Sequence, residues 1–267
     1  MKGKFLLISL FCCVFMFSCV PERMTPVRGR EKGHTATTKP LNGDESSQNN
    51  AVAADKTASD NQAMMSEFQR RCLEKQVTDY DGNRYHTVLV GNQCWLKENL
   101  RSIHGRDGRI ANYYIPNGNP ANVQTYGYLY EWRSAKSVCP KGWHLPTMED
   151  WEKLEDQVVL LGMSCGDGMQ KQVAKAVSSE KGWQSSSNPC AVGYNQQTNN
   201  ASGFSVLPAG LYNYEHYNNF GYKANFWSAK EYDAAYAYSF GVSYDNAGIK
   251  KFLDSKASGF SVRCVQD

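Results

Sequence analysis

Hydrophobic and polar positions divide the chain into three stretches. Met1–Ser18 carries Lys2 and Lys4, then a nearly unbroken apolar run from Phe5 to Phe17, then Ser18 and Cys19. From Val20 to Glu67 there is no Phe, Tyr or Trp, and Thr, Ser, Asn, Asp, Ala and Lys follow one another without a helical or strand period. Such a stretch cannot bury enough apolar surface to offset the entropy of ordering it, so 19–67 reads as a disordered linker. Aromatic residues resume at Phe68, and every Trp and Tyr lies beyond it. The folded domain is therefore placed at 68–267, a size that supports one core.

Within that domain the period changes twice. Val77–Tyr80 and Tyr85–Val90 flank Asp81-Gly82, a strong short-range hairpin signal. Thr147 followed by Asp150 has the form of a capping box, and Trp151, Leu154, Val158 and Leu161 then fall on one helical face. Glu149, Glu152, Lys153 and Asp156 occupy the other face. A weaker helix is read at Gln170–Val177. From Gly203 onward, Phe-, Val- and Tyr-rich runs alternate with Gly, Asn and Asp, predicting strands at Phe204–Leu207, Phe226–Ser228, Ala235–Val242, Lys250–Leu253 and Phe260–Val265. One or two helices followed by a strand-rich end is an α+β pattern. Two cysteine- and aromatic-bearing segments, Cys139–Trp151 and Gly259–Asp267, bracket the C-terminal half and suggest that the chain's end returns to pair with its middle.

The N-terminal pattern has the shape of an export signal: a charged start, an apolar core too short to span a membrane comfortably, and a small residue before the cut. Cys19 stands where a bacterial lipoprotein is cleaved and acylated. The protein is therefore expected to be lipid-anchored in the cell envelope, at the outer membrane or cell surface; an ordinary signal peptide with an incidental cysteine is the competing reading. The formal charge of +3 falls to +1 once Lys2 and Lys4 leave, and no basic block follows, so nucleic acid is not a partner to expect. Of nine cysteines, Cys12, Cys13 and Cys19 precede the domain. The remaining Cys72, Cys94, Cys139, Cys165, Cys190 and Cys264 are an even set in an exported chain, which reads as a disulfide framework of open connectivity.

Several segments together resemble the Fibrobacter succinogenes major paralogous domain, a family of bacterial exported proteins. They are Asp79–Tyr85, Val90–Leu100, Tyr126–Trp132, Cys139–Trp151, Gly203–Gly210, Phe226–Glu231 and Gly259–Asp267, in order over nearly all of 72–267. The family is similar in turn to the C-type-lectin-like fold shared with formylglycine-generating enzymes, where a Leu-Pro-Thr helix start and a terminal Gly-Phe-x-x-Arg strand recur. The resemblance implies that fold: short, mostly antiparallel strands with one or two helices. By the lectin-like closure it also implies the pairs Cys139–Cys264, Cys72–Cys94 and Cys165–Cys190. It implies no established activity.

Catalytic and metal chemistry find little footing. Relatives that oxidise use a reactive cysteine pair, and no cysteine follows Phe226-Trp-Ser before Cys264. The five histidines, His34, His86, His104, His144 and His216, lack ligand spacing; Asp79-x-Asp81-Gly-Asn83 lacks the closing Glu of a calcium loop and reads as a turn. No catalytic residue, metal or cofactor is expected. Trp143 and Trp227 are assigned to the core. What remains is surface: half of the chain's 16 tyrosines lie between Tyr212 and Tyr244, interleaved with Asn, Asp and Ser. Tyrosine offers large amphipathic contact area at small entropic loss, although alternating strand tyrosines also form ordinary cores. Tyr232, Asp233, Tyr236, Tyr238, Tyr244 and Asn246 are the expected ligand-binding residues, for an unidentified protein or glycan. The alternatives are an oxidase related to formylglycine-generating enzymes and a structural surface or adhesin subunit.

Overall fold

The computed structural model describes residues 67–73, 75–166 and 171–267. The expected signal peptide at 1–18, the expected lipidation site Cys19 and the expected linker up to residue 66 lie outside them. The domain is α+β. It opens on a helical stretch at 67–73, followed by the expected hairpin, whose strands β1 (Val77–Thr78) and β2 (Arg84–Tyr85) are only two residues each. The Asp79 carboxylate explains the turn: it accepts from the backbone N–H of Asp81 and Asn83 and from the Tyr85 hydroxyl. A second hairpin, not foreseen, joins β3 (Thr87–Val90) to β4 (Gln93–Leu96) through Gly91-Asn92.

Then come β5 (Tyr113–Tyr114), paired with β6 (Leu129–Tyr130), the helix Trp132–Val138, and β7 (Trp143–His144). The helix Met148–Leu160 starts on the expected capping box, Thr147 and Asp150 satisfying each other's backbone N–H. Trp151, Leu154 and Val158 are buried as expected, but Leu161 is 53 % exposed. The helix stops at Leu160, and Gly162 with φ +71° turns the chain away, so the period no longer governs Leu161. The weaker helix is the single turn Ala174–Val177, and Gln170 lies outside the described residues.

In the C-terminal part, β8 (Leu211–Asn213) and β9 (His216–Asn218) form a hairpin. β10 (Lys223–Glu231), β11 (Tyr236–Ser243) and β12 (Lys250–Ser255) form an antiparallel sheet, each overlapping an expected strand. Phe204–Leu207 is not a strand: Ser205 sits at φ +58°, and Val206 makes an isolated bridge to Ser178. Phe260–Val265 is not a continuous strand either, because Phe260 and Ser261 bridge to different segments, Tyr130 and Phe226, and 262–264 join no ladder. Only β13 (Val265–Gln266) closes the chain as a strand, inserting between β4 and β7 in the order β3-β4-β13-β7. The end therefore does pair with the middle.

Two apolar clusters lie on either side of these strands. Strand alternation sends neighbouring residues to opposite faces. Trp95, Phe226 and Val265 join Trp151, Phe204, Phe240 and Val242 in one cluster, while Cys94, Leu96, Trp227 and Cys264 join Trp132, Trp143 and Phe260 in the other. Trp143 and Trp227 are core residues, and the Trp227 indole N–H donates to the Tyr130 carbonyl at 2.7 Å. Three disulfides, Cys72–Cys94, Cys139–Cys264 and Cys165–Cys190, staple the domain. Among the described residues, no helix is long and apolar enough to cross a membrane.

Candidate functional site

The β8–β9 hairpin turns on Tyr214 and Glu215, both with positive φ. Consecutive left-handed residues make a tight turn whose twist matches the strands, at a steric cost that glycine would avoid. The result holds Tyr214 in solvent, 90 % exposed. Two positions earlier, Tyr212 lies against Tyr217 and stacks on Tyr114 with ring centroids 3.7 Å apart. Tyr114 comes from β5, about a hundred residues upstream, and its hydroxyl donates to Glu131 Oε1 at 2.9 Å. Burial and that hydrogen bond push the Tyr114 phenol up to about 12. Gly259 makes the approach possible: a Cβ there would stand 2.5 Å from the Tyr114 ring.

Facing these rings are Tyr236 at the start of β11 and Leu253 and Asp254 of β12. Together with Tyr114, Tyr212 and Tyr214 they line an open groove of about 600 Å³. Asp254 is held by the Ser239 hydroxyl, while burial pushes its carboxyl upward. The groove thus combines aromatic faces with carboxylates (Asp254, Glu215) and an amide (Asn213).

The six expected ligand residues do not form one patch. Ala237 and Ser239 are buried on one face of β11, and Tyr236 and Tyr238 share the opposite face with Phe240 and Val242, which are buried further along; at the start of the strand Tyr236 is exposed and Tyr238 half-buried. Tyr232 packs edge-on against Tyr238. Asp233 is exposed, but its carboxylate accepts from the backbone N–H of Ala235 and Tyr236 and so shapes the turn into β11. Tyr244 and Asn246 lie beyond the other end of β11, Tyr244 roughly 26 Å along the strand direction from Tyr236 at about 3.3 Å per residue. Tyr244 packs edge-on against Tyr222, and Asn246 borders a separate polar cavity. Tyr114, Leu253 and Asp254 carried no signal in the sequence, because only the tertiary fold brings β5 and β12 to the hairpin.

Among the described residues, three of the four histidines contact carboxylates, and His216 has no such contact. His86 contacts Glu98, His104 contacts Asp81, and His144 bridges Asp267 at 2.7 Å and Asp150 at 3.1 Å. Burial raises the Asp81 carboxyl, but hydrogen bonds from Ser102, His104 and the Ile103 N–H outweigh it and hold it at about 2. Among the described residues, no group of three His, Cys, Asp or Glu side chains is arranged to hold a metal.

The family model for the Fibrobacter succinogenes major domain matches residues 88–266. No curated protein and no solved structure matches the chain.

Proposed function

The chain belongs to the Fibrobacter succinogenes major domain family, and from that premise we propose that it is a cell-envelope lipoprotein presenting a disulfide-stapled, lectin-like domain for ligand binding. The observation that carries this reading is the tyrosine-lined groove. Four tyrosines from three separate elements converge on one open cleft of about 600 Å³. Tyr114 and Tyr212 are stacked and so held rigid, and rigid amphipathic contact area is what recognition surfaces draw on. Ring faces beside carboxylates and an amide suit a saccharide chain, whose C–H face stacks while its hydroxyls hydrogen-bond. A protein ligand is the other outcome of the screen below.

The cysteines support binding over oxidation. All six domain cysteines are in disulfides, so the oxidase reading has no free thiol to work with among the described residues. The anchor rests on the apolar run that stops at Cys19 and on the polar stretch that follows. Cys19→Ala should move the protein from the membrane to the soluble fraction; a variant that still sediments with membrane argues against lipidation there.

The binding test is a glycan and surface-protein array probed with the exported chain and with Tyr212→Ala and Tyr236→Ala. The wild type should retain a saccharide that both variants lose. Equal retention by all three would remove the groove from the site.

A further inference from the structure

At the far end of β11 from the tyrosine groove, the outer strands enclose a second, smaller cavity of about 130 Å³. Register explains its lining. Asn225 of β10 pairs with Gly241 of β11, which pairs with Lys250 of β12, and directly opposed residues share a face. Lys223 and Ser243, two positions along, point the same way, and the Phe252 ring forms a wall. Gly241 is required here, because a Cβ would stand 2.8 Å from the Phe252 ring and 3.3 Å from Asn225 Oδ1. The missing side chain leaves the floor of the cavity as backbone.

Two features point to a ligand. Asn225 is only 6 % exposed, and its side-chain amide makes no hydrogen bond with any described residue, although it lines the cavity. Its amide opens on the cavity rather than into the core, so it is free to bond an occupant there. The second feature is charge. Lys223 and Lys250 both border the cavity, and like most of the described lysines neither is in an ion pair. Two ammonium groups therefore flank the amide, against the single carboxylate of Asp245 in the same lining. Asp245, held by the Ser243 hydroxyl at 2.5 Å, adds an acceptor at the rim.

We propose that this cavity binds one carboxylated sugar residue of an acidic saccharide. The ammonium groups take the carboxylate, Asn225 and Asp245 take hydroxyls, and Phe252 covers the apolar face of the ring. The size limits the occupant: drug-sized pockets run from roughly 300 Å³ upward, so this one holds a single residue. Asn246 and Lys250 also border a neighbouring polar cleft, which gives a longer chain somewhere to continue. The site shares no residue with the tyrosine groove, so either can fail without the other.

Titration of the exported chain with glucuronate, glucose and inorganic phosphate, followed by NMR or calorimetry, tests it. Glucuronate should bind about tenfold more tightly than glucose or phosphate. A hexuronate oligomer that binds more tightly than the monomer identifies a chain as the source, and equal binding identifies the free sugar acid. Lys223→Ala with Lys250→Ala, both at exposed positions, should erase the preference over glucose without changing the melting temperature. Asn225→Asp keeps the side-chain shape but adds a negative charge, and should weaken glucuronate more than glucose. Tyr212→Ala should leave glucuronate binding intact. Glucuronate binding no better than glucose, or phosphate competing equally well, would overturn the assignment.

Discussion

Arg263 carries more of the terminal signature than its neighbours suggest. It is fully buried and makes no ion pair; burial pushes its guanidinium down to about 9, with the Glu98 carboxylate opposing, so it remains charged at neutral pH. Its charge is met by Asn99 Oδ1 at 2.7 Å, by the carbonyls of Phe204 and Leu96, and by the Phe204 ring, 4.7 Å away. The left-handed Ser205 belongs to the same arrangement, its own carbonyl accepting from the guanidinium. Arg263→Met should cost about 2–5 kcal/mol in urea melts, because it strands several buried acceptors; a loss under 1 kcal/mol would mean that they find other partners. Glu155 offers a pH test. Burial pushes its carboxyl up to about 7, with Lys171 opposing and Asp156 and Glu152 adding to the rise. The folded protein then holds a proton that the unfolded chain releases near pH 4.3, so stability falls as pH rises from about 4 to about 7. Glu155→Gln should stabilise by about 1–3 kcal/mol at pH 8 and hardly at pH 4. An equal effect at both pH values would count against this cause.

Among the elements, the three-stranded sheet separates core from surface one residue at a time. Phe226 and Trp227 are adjacent on β10 and enter different apolar clusters, whereas Tyr236, on the same face of β11 as the buried Phe240, is exposed at the strand's start. Trp227→Ala should cost about 3–5 kcal/mol, while Tyr232→Ala and Tyr236→Ala should each stay within about 0.5 kcal/mol. Asp233→Ala belongs between them at about 1 kcal/mol, since its carboxylate caps the turn into β11. Thermal melts of the four variants give the order, and a tyrosine variant that melts like Trp227→Ala would place that ring in the core. The helix Met148–Leu160 was legible from its capping box and stripe because both are local. The stretch around Phe204 was misread as a strand because its backbone serves Arg263 instead of a ladder.

Across the whole molecule, closure depends on the return of the C-terminus. Cys139–Cys264 spans 125 residues, against 22 and 25 for the other two bridges. In the loop-entropy model its removal should cost about 5 kcal/mol, against about 3.5 kcal/mol for either short bridge. Melting the three paired Cys→Ser variants should rank it first; a short bridge costing more would show that native contacts, not loop length, set the order. The sequence alone determined what period and composition encode: the α+β class, the capped helix, the strands Lys223–Ser255 in outline, and the even cysteine set. Resemblance to the family supplied the pairings of those cysteines. Tertiary structure decided what depends on distant partners. Tyr114 joins Tyr212 only because Gly259 lets them stack, and the expected binding residues separate because a whole strand lies between Tyr236 and Tyr244. Asn225 looks like any other polar strand residue until its neighbours are in place. Local preference acts over a few residues, whereas a site is made by contacts between segments a hundred residues apart, and no pattern along the chain records which ones meet.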